Sequence, residues 1–161
     1  VNSYKTLKKL EFIEFPKLGL RELKNVINVI KRLNGCILII DYGYIFSNNL
    51  DTLQSVIKHK KNNLLNNLGK ADVTSHVNFS LLNEFFVKNN LKVKEVISQK
   101  KFLSKLGIIK RAEIIANNMN FKDKTNLYLR LKRLLSPGLM GNLFKVILAY
   151  KFKKSNFFGF N

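Results

Sequence analysis

Cys36-Ile37-Leu38-Ile39-Ile40 runs for five apolar residues without a break and stops abruptly at Asp41-Tyr42-Gly43-Tyr44. A short unbroken apolar run rich in β-branched residues, ended by an acid and a glycine, reads as a strand buried on both faces, the kind found in a parallel sheet. In open α/β sheets the ligand crevice lies just past the carboxyl ends of such strands. The run therefore demands a layered α/β domain, and it puts Asp41, Tyr42, Gly43 and Tyr44 at the edge where ligands gather.

The flanking sequence delivers the chain to this strand. Leu20, Leu23, Ile27, Ile30 and Leu33 recur at steps of three and four, one face of an amphipathic helix. Asn34-Gly35 stops it, glycine being tolerant of the left-handed turn. Helix, stop and strand make half of a βαβ unit. Upstream, Phe12-Ile13-Glu14-Phe15 reads as a short strand halted by Pro16. Downstream, Ser47, Asn48, Asn49 and Asp51 mark a polar turn, residues 52–68 show no clean period, and residues 69–79 form a loop by composition. Asn78 or Ser80 is placed to cap a helix carrying Leu81, Leu82, Phe85 and Phe86, ended by Asn89-Asn90. Residues 91–97 read as a strand. Ser98 opens a helical piece closed by Gly107, residues 108–119 continue as a helix, and Asp123 is placed to cap the next, which carries Leu127, Leu131, Leu134 and Leu135. Ser136-Pro137-Gly138 breaks the chain before a last strand over residues 143–151. With no internal repeat and no low-complexity linker, residues 1–161 read as a single domain.

Charge adds two competing readings. Lys and Arg number 29 against 10 Asp and Glu, a formal net charge of +19. Such an excess suits an anionic partner, so a basic, non-enzymatic binding module for RNA or an acidic protein is one functional reading. The excess is nearly all Lys in a chain also rich in Asn, Ile and Phe, which AT-rich coding would produce unaided. The densest clusters are Lys58-His59-Lys60-Lys61 and Lys151-Phe152-Lys153-Lys154. Cys36 is the single cysteine, so no internal disulfide forms and a reducing compartment is compatible. It sits within the strand expected to be buried, which argues against thiolate chemistry. No apolar stretch approaches the roughly 20 residues of a membrane span, and no secretory pattern stands at the start.

The glycines restrict the cofactor chemistry. They stand at 19, 35, 43, 69, 107, 138, 141 and 159, and no two are two apart. There is no G-x-G loop, and Gly69-Lys70 lacks the earlier glycine of a phosphate loop. His59, Asp72 and His76 could contribute to a metal site only with further ligands from a distance; as a plainer reading, His76 bonds a backbone carbonyl and Asp72 caps a turn. Ser55 and Ser75 have no glycine elbow. Asp41-Tyr42-Gly43-Tyr44 stays open between two roles. Asp41 can accept hydrogen bonds from a substrate amine or guanidinium while the tyrosines shape a pocket, or Asp41 caps a turn and Tyr42 covers the sheet end.

Several separate motifs resemble one family in register. Arg21-Glu22-Leu23 leads the helix into Leu38-Ile39-Ile40-Asp41-Tyr42-Gly43-Tyr44. Thr52-Leu53-Gln54 through Lys60, Gly69-Lys70-Ala71-Asp72-Val73-Thr74-Ser75-His76-Val77-Asn78-Phe79, Gln99 through Ile108 with Arg111-Ala112-Glu113, and Met140 to Val146 follow in order. Together, from about Arg21 to Phe160, they resemble the MidA-type family of class I S-adenosylmethionine-dependent methyltransferases. The resemblance implies an α/β fold, the C-terminal part of a Rossmann-like methyltransferase sheet with a helical insertion. It implies S-adenosylmethionine as cofactor and a protein substrate, an arginine of a respiratory complex I subunit in the mitochondrial member. Asp41 becomes the catalytic carboxylate. Tyr42, Gly43 and Tyr44 become substrate-side residues, and His59, Asp72, Thr74 and His76 belong to the insertion covering the site. The family's Gly-rich cofactor loop belongs to an earlier half. On this reading the chain is a partial methyltransferase, inactive alone, that needs the other half or a second copy to cover its sheet. Asn78 stands where the family usually has Asp, and Asp51 where a Gly often precedes Thr-Leu-Gln. The expected compartment is the bacterial cytoplasm or, alternatively, the mitochondrial matrix.

Overall fold

The structure is a computed structural model and describes residues 3–8, 10–46, 49, 51–153 and 156–160. The turn read at Ser47 and Asn48, and Lys154 of the second basic cluster, lie outside them.

The first long helix, α1 (Lys17–Arg32), feeds β1 (Cys36–Tyr44). Gly35 N–H closes the helix on the Ile30 carbonyl at 2.8 Å, but the left-handed residue is Asn34 (φ 49°), not the glycine. β1 then runs antiparallel to the last strand, β8 (Phe144–Tyr150), from Cys36 opposite Tyr150 to Tyr42 opposite Phe144. Its other edge takes only β5 (Val77–Asn78), in parallel, at Gly43 and Tyr44. β6 (Lys92–Val93) and β7 (Ile97–Ser98) share the far edge of β8, so the strand read over residues 91–97 is two short pieces.

The sheet corrects the expectation for Cys36–Ile40. Ile37 and Ile39 face a core built from Ile27, Phe79, Phe86 and Ile147. Leu38 and Ile40, on the opposite face, are 46% and 43% exposed, and Cys36 is exposed rather than buried. Their partners across the ladder, Leu148 and Val146, are 5% and 0% exposed. A residue and its cross-strand partner share a face, so that face is covered over β8 and bare over β1. The cover over β8 is a small cluster in which Val146 meets Ile97, Phe102, Leu103 and Phe160. β8 is therefore the strand buried on both faces.

Within the stretch read as mixed sequence and loop, residues 54–74 form a second sheet. β2 (Gln54–Ile57) lies between β3 (Lys60–Asn62) and β4 (Asp72–Thr74), all antiparallel. Residues 12–15 are irregular rather than a strand. The helices follow the sequence more closely. α2 (Phe79–Lys88) starts at Asn78, whose side chain accepts the Leu81 N–H at 3.0 Å, while the Ser80 hydroxyl donates instead to the Ile45 carbonyl. α3 (Gln99–Lys105) is capped by Ser98, and α4 (Ile108–Ala116) begins after Gly107 at φ 79°. For α5 (Phe121–Leu135) the cap is Asn120, which accepts the Asp123 N–H at 2.9 Å; Asp123 sits inside the first turn and accepts a bond back from the Asn120 amide. Among the described residues no helix is long and apolar enough to cross a membrane.

The N-terminal turn Lys5–Leu7 is pinned to α2 by one carboxylate. Glu84 accepts the Lys5 and Thr6 amides at 2.8 and 3.0 Å and the Thr6 hydroxyl at 2.8 Å, and Lys88 stands 3.1 Å away. Burial alone would raise its pKa, but the hydrogen bonds outweigh burial and hold it at about 2, below the ordinary 4.5. A depressed folded-state pKa contributes stability above the unfolded value and loses it as pH falls through the folded one. Glu84→Gln is expected to flatten the loss of stability between pH 4.5 and about 2, checked by thermal melts across that window.

Candidate active site at the exit of the first strand

The exit of β1 alternates. Gly43 points into the body of the domain, where it is buried. A Cβ there would lie 2.1 Å from the Val77 carbonyl oxygen and 2.9 Å from the Phe79 ring. The missing side chain is what allows β5 to join β1 and α2 to start beneath it. Tyr42 lies on the other face, its ring edge-on to Phe144 at 5.5 Å and to His76 at 5.6 Å. The Tyr44 phenol is pushed up by burial and by the nearby Glu14 charge, against an opposing hydrogen bond with Asn78. Asp41 uses one oxygen on the neighbouring Tyr42 amide at 2.8 Å. Among the described residues it makes no ion pair. Opposite it across the ladder stands Lys145, whose pKa burial lowers and whose ammonium donates to the Asn142 carbonyl.

A strap holds the second sheet against this exit. Glu14 accepts the Thr52 amide at 3.2 Å and its hydroxyl at 2.6 Å, and that hydroxyl oxygen accepts the His76 N–H at 2.9 Å. Residues 14, 52 and 76 thus join the segment before α1, the start of the second sheet and the segment entering β5. Glu14 is a residue that the sequence reading missed. Its signal was an acid set among Phe12, Ile13 and Phe15 just before Pro16. Glu14→Gln keeps the shape of the strap and removes its charge, so the Tyr44 phenol is expected to titrate closer to its ordinary value of 10.0, read by difference absorbance against Tyr44→Phe.

The strap borders a cavity of about 400 Å³ whose walls include Phe12, Phe15, Leu53 and Leu82, with Glu14, Asp51 and His76 as charged or titratable members. None of its described lining residues is Lys or Arg, which matters in a chain of net charge +19. A polar recess lined by Thr52, Gln54, Lys61, Asn62 and His76 adjoins it. His76 thus touches both cavities and Tyr42. Thr74 sits nearby, its hydroxyl accepting from Gln54 at 3.3 Å.

The remaining candidates lie farther out. His59 is exposed in the β2–β3 turn, where it and Lys58 have φ of 63° and 49°. At ~3.3 Å per strand residue, five residues past Gln54, it stands roughly 15 Å along the hairpin from Thr74's partner. Asp72 is exposed and pairs with Val56, two residues outward from Thr74. Among the described residues no three His, Cys, Asp or Glu gather closely enough to hold a metal.

Among the described residues no loop for a nucleotide phosphate is present. The glycines with positive φ are Gly69, Gly107 and Gly159, at the approach to β4, before α4 and in the C-terminal tail. None follows a strand and opens a helix as a phosphate-cradling loop requires. Gly43, which does stand at a strand exit, is filled by Val77 and Phe79.

The family of putative S-adenosyl-L-methionine-dependent methyltransferases matches residues 2–97, more than half of the chain. The chain belongs to this methyltransferase family. A relative in Caenorhabditis elegans, the mitochondrial protein arginine methyltransferase NDUFAF7 homolog, is 32% identical over 86 residues, 53% of this chain and 20% of that protein. Two solved structures share the fold. An uncharacterized COG1565 superfamily protein from Burkholderia thailandensis aligns over 99% of this chain and 45% of its own, at 21% identity and a TM-score of 0.80. A likely methyl transferase of that superfamily and organism, bound to S-adenosyl-homocysteine, aligns over 99% and 44% at the same identity and score. The chain of this methyltransferase-family member thus spans less than half of the solved relatives and a fifth of the curated one. Its α/β architecture is that of a methyltransferase.

Proposed function

We propose that the chain is the substrate-side part of an S-adenosylmethionine-dependent methyltransferase that modifies a protein, with an arginine side chain as methyl acceptor. The observation that carries this is the exit of β1, where Asp41 bonds only the Tyr42 amide and keeps its carboxylate out of any ion pair among the described residues, while the Tyr42 ring on the other face meets His76. A guanidinium is planar and presents paired N–H groups, which a carboxylate matches in shape and charge. The adjoining cavity, apolar with Glu14 and Asp51 and no described Lys or Arg, suits the approach of a cationic side chain on an aliphatic stem.

In this reading Asp41 holds the acceptor guanidinium and favours the nitrogen that gives up a proton as the methyl group arrives. Tyr42 and Tyr44 flank the acceptor, Tyr42 through its contact with His76 of the cavity wall. His76 and Thr74 hold the second sheet over the site, and His59 and Asp72 meet the surrounding substrate polypeptide. The cofactor, bound by the other half of the fold, supplies an electrophilic methyl group. This chain's contribution is orientation and exclusion of water. The arginine-methylating relative from Caenorhabditis elegans supports the acceptor, and a subunit of respiratory complex I is the proposed substrate. A mitochondrial relative favours the matrix, and a bacterial cytoplasm suits the solved relatives.

The test is transfer of an isotope-labelled methyl group by the enzyme completed with its cofactor half, using arginine- and lysine-containing peptides. Label on arginine alone supports the proposal. Label on lysine, or on a small molecule only, would overturn it.

A further inference from the structure

α5 differs from the other long helices. α1 and α2 each bury part of one face, but none of the 15 residues of α5 is buried. Leu127, Leu131 and Leu134 are half-buried on the side that packs on α3, α4 and residues 137–141. Phe121, Tyr128, Leu129 and Lys132, spaced as i, i+7, i+8 and i+11, lie together on the outer side. There Phe121 is 86% exposed, Leu129 58% and Tyr128 46%. Apolar residues scattered singly over a surface are ordinary, whereas several on one helix face mark a contact. Cations border this stripe. Lys122, Lys124, Arg130, Lys132 and Arg133 stand against one acid, Asp123, and that acid is bound to the Asn120 amide. Among the described residues none of the five cations makes an ion pair. α3 and α4, packed alongside, add Lys100, Lys101, Lys105, Lys110 and Arg111 against Glu113 alone.

We propose that α5 lies along an anionic membrane surface, with Phe121, Tyr128 and Leu129 entering the headgroup boundary and the neighbouring cations meeting lipid phosphates. A helix with an apolar stripe bordered by Lys and Arg, and too polar to cross a bilayer, has the makeup of an interfacial anchor. Phosphate headgroups over hydrocarbon answer both halves of this surface. A nucleic acid would satisfy the cations but offers no hydrocarbon to Leu129. A second copy of this chain would cover the apolar residues but set cation against cation across the contact. The surface holds none of the residues at the exit of β1, so membrane association and methyl transfer are separable. Docking there brings the enzyme to acceptors held at a membrane.

The chain has no tryptophan, so Tyr128→Trp places a single reporter on the stripe. The probe is a vesicle of equal parts phosphatidylcholine and phosphatidylglycerol. Fluorescence is read on this chain, and co-sedimentation on this chain and on the enzyme completed with its cofactor half. The expected result is a blue shift at Tyr128→Trp with quenching by brominated lipid tails, and binding by both forms of the protein. Leu65→Trp, at a position 80% exposed between β3 and β4, is expected to keep its emission unchanged. Binding is expected to weaken about tenfold or more on pure phosphatidylcholine. Phe121→Gln with Leu129→Gln is expected to weaken it by a similar factor on anionic vesicles, with circular dichroism unchanged. An equal shift at Leu65→Trp would mean general adhesion of a basic protein and would overturn the proposal. So would binding that is lost in the completed enzyme, which would show that the other half covers α5. A reporter that responds to a single-stranded RNA oligonucleotide and not to vesicles would assign the surface to nucleic acid. One that responds to protein concentration without lipid would assign it to a second copy, and either result sinks the membrane assignment.

Discussion

Gly43→Ala is expected to be among the most damaging single substitutions in the chain, although it adds one methyl group. The added Cβ would stand 2.1 Å from the Val77 carbonyl oxygen, a backbone atom that cannot swing aside, and 2.9 Å from the buried Phe79 ring. Relief requires β5 to leave β1 or α2 to shift, and β5 is also where Asn78 caps α2. Overpacking of a closed core costs about 1–3 kcal/mol and more where backbone must move. Alanine recovers only about 0.4–1 kcal/mol by restricting the unfolded chain. A net loss of about 2–3 kcal/mol lowers the melting temperature by roughly 5–10 °C in a chain of this size. Gly138→Ala is the control. Nothing lies within 4 Å of its Cβ position, so it is expected to stay within about 0.5 kcal/mol of the parent. Equal melting temperatures for the two variants would show that β5 does not press on β1 as described.

Asp41→Asn is expected to have the largest effect on catalysis with almost none on folding. Asn keeps the shape and an oxygen to accept the Tyr42 amide, so that hydrogen bond survives. What disappears is the charge that would hold a guanidinium and receive its proton. General-base and charge-assisted contacts of this kind contribute about 10²–10⁴-fold in rate. In the completed enzyme kcat is expected to fall by at least about 10²-fold, with a smaller rise in KM for the peptide and an unchanged melting temperature. A fall in stability with kcat intact would make Asp41 a capping residue, the plainer of the two roles its sequence position allowed.

Much of the fold was legible because local rules and tertiary packing agreed. α1, α2 and β8 follow their apolar spacing, and Asn78 and Ser98 cap where polar residues precede apolar faces. The main misreading was the burial of Cys36–Ile40. An unbroken apolar run shows that a strand has two faces suited to burial, but it does not show whether both are covered within the chain. β8 satisfies both faces, whereas β1 satisfies one through Ile37 and Ile39 and leaves Leu38 and Ile40 bare. The second sheet was missed because its strands are three or four residues long and mostly polar, held by the ladder and by the Glu14–Thr52–His76 strap. The role of Glu14 was missed for a similar reason. Its partner lies 38 residues away, and no local period points to it. Asp41 and Tyr42 were legible as candidates because strand exits collect ligand contacts, and His76 through the family resemblance. The contact between Tyr42 and His76 became visible only once β5 lay beside β1.

The most direct measurement is calorimetric titration of S-adenosylmethionine into this chain alone and into the chain completed with its cofactor half. The expected result is no binding to the chain alone, whose glycine at the strand exit, Gly43, is filled by Val77 and Phe79, and saturable one-site binding to the completed protein. Absence of binding to the completed protein would contradict the assignment of this chain to a working methyltransferase.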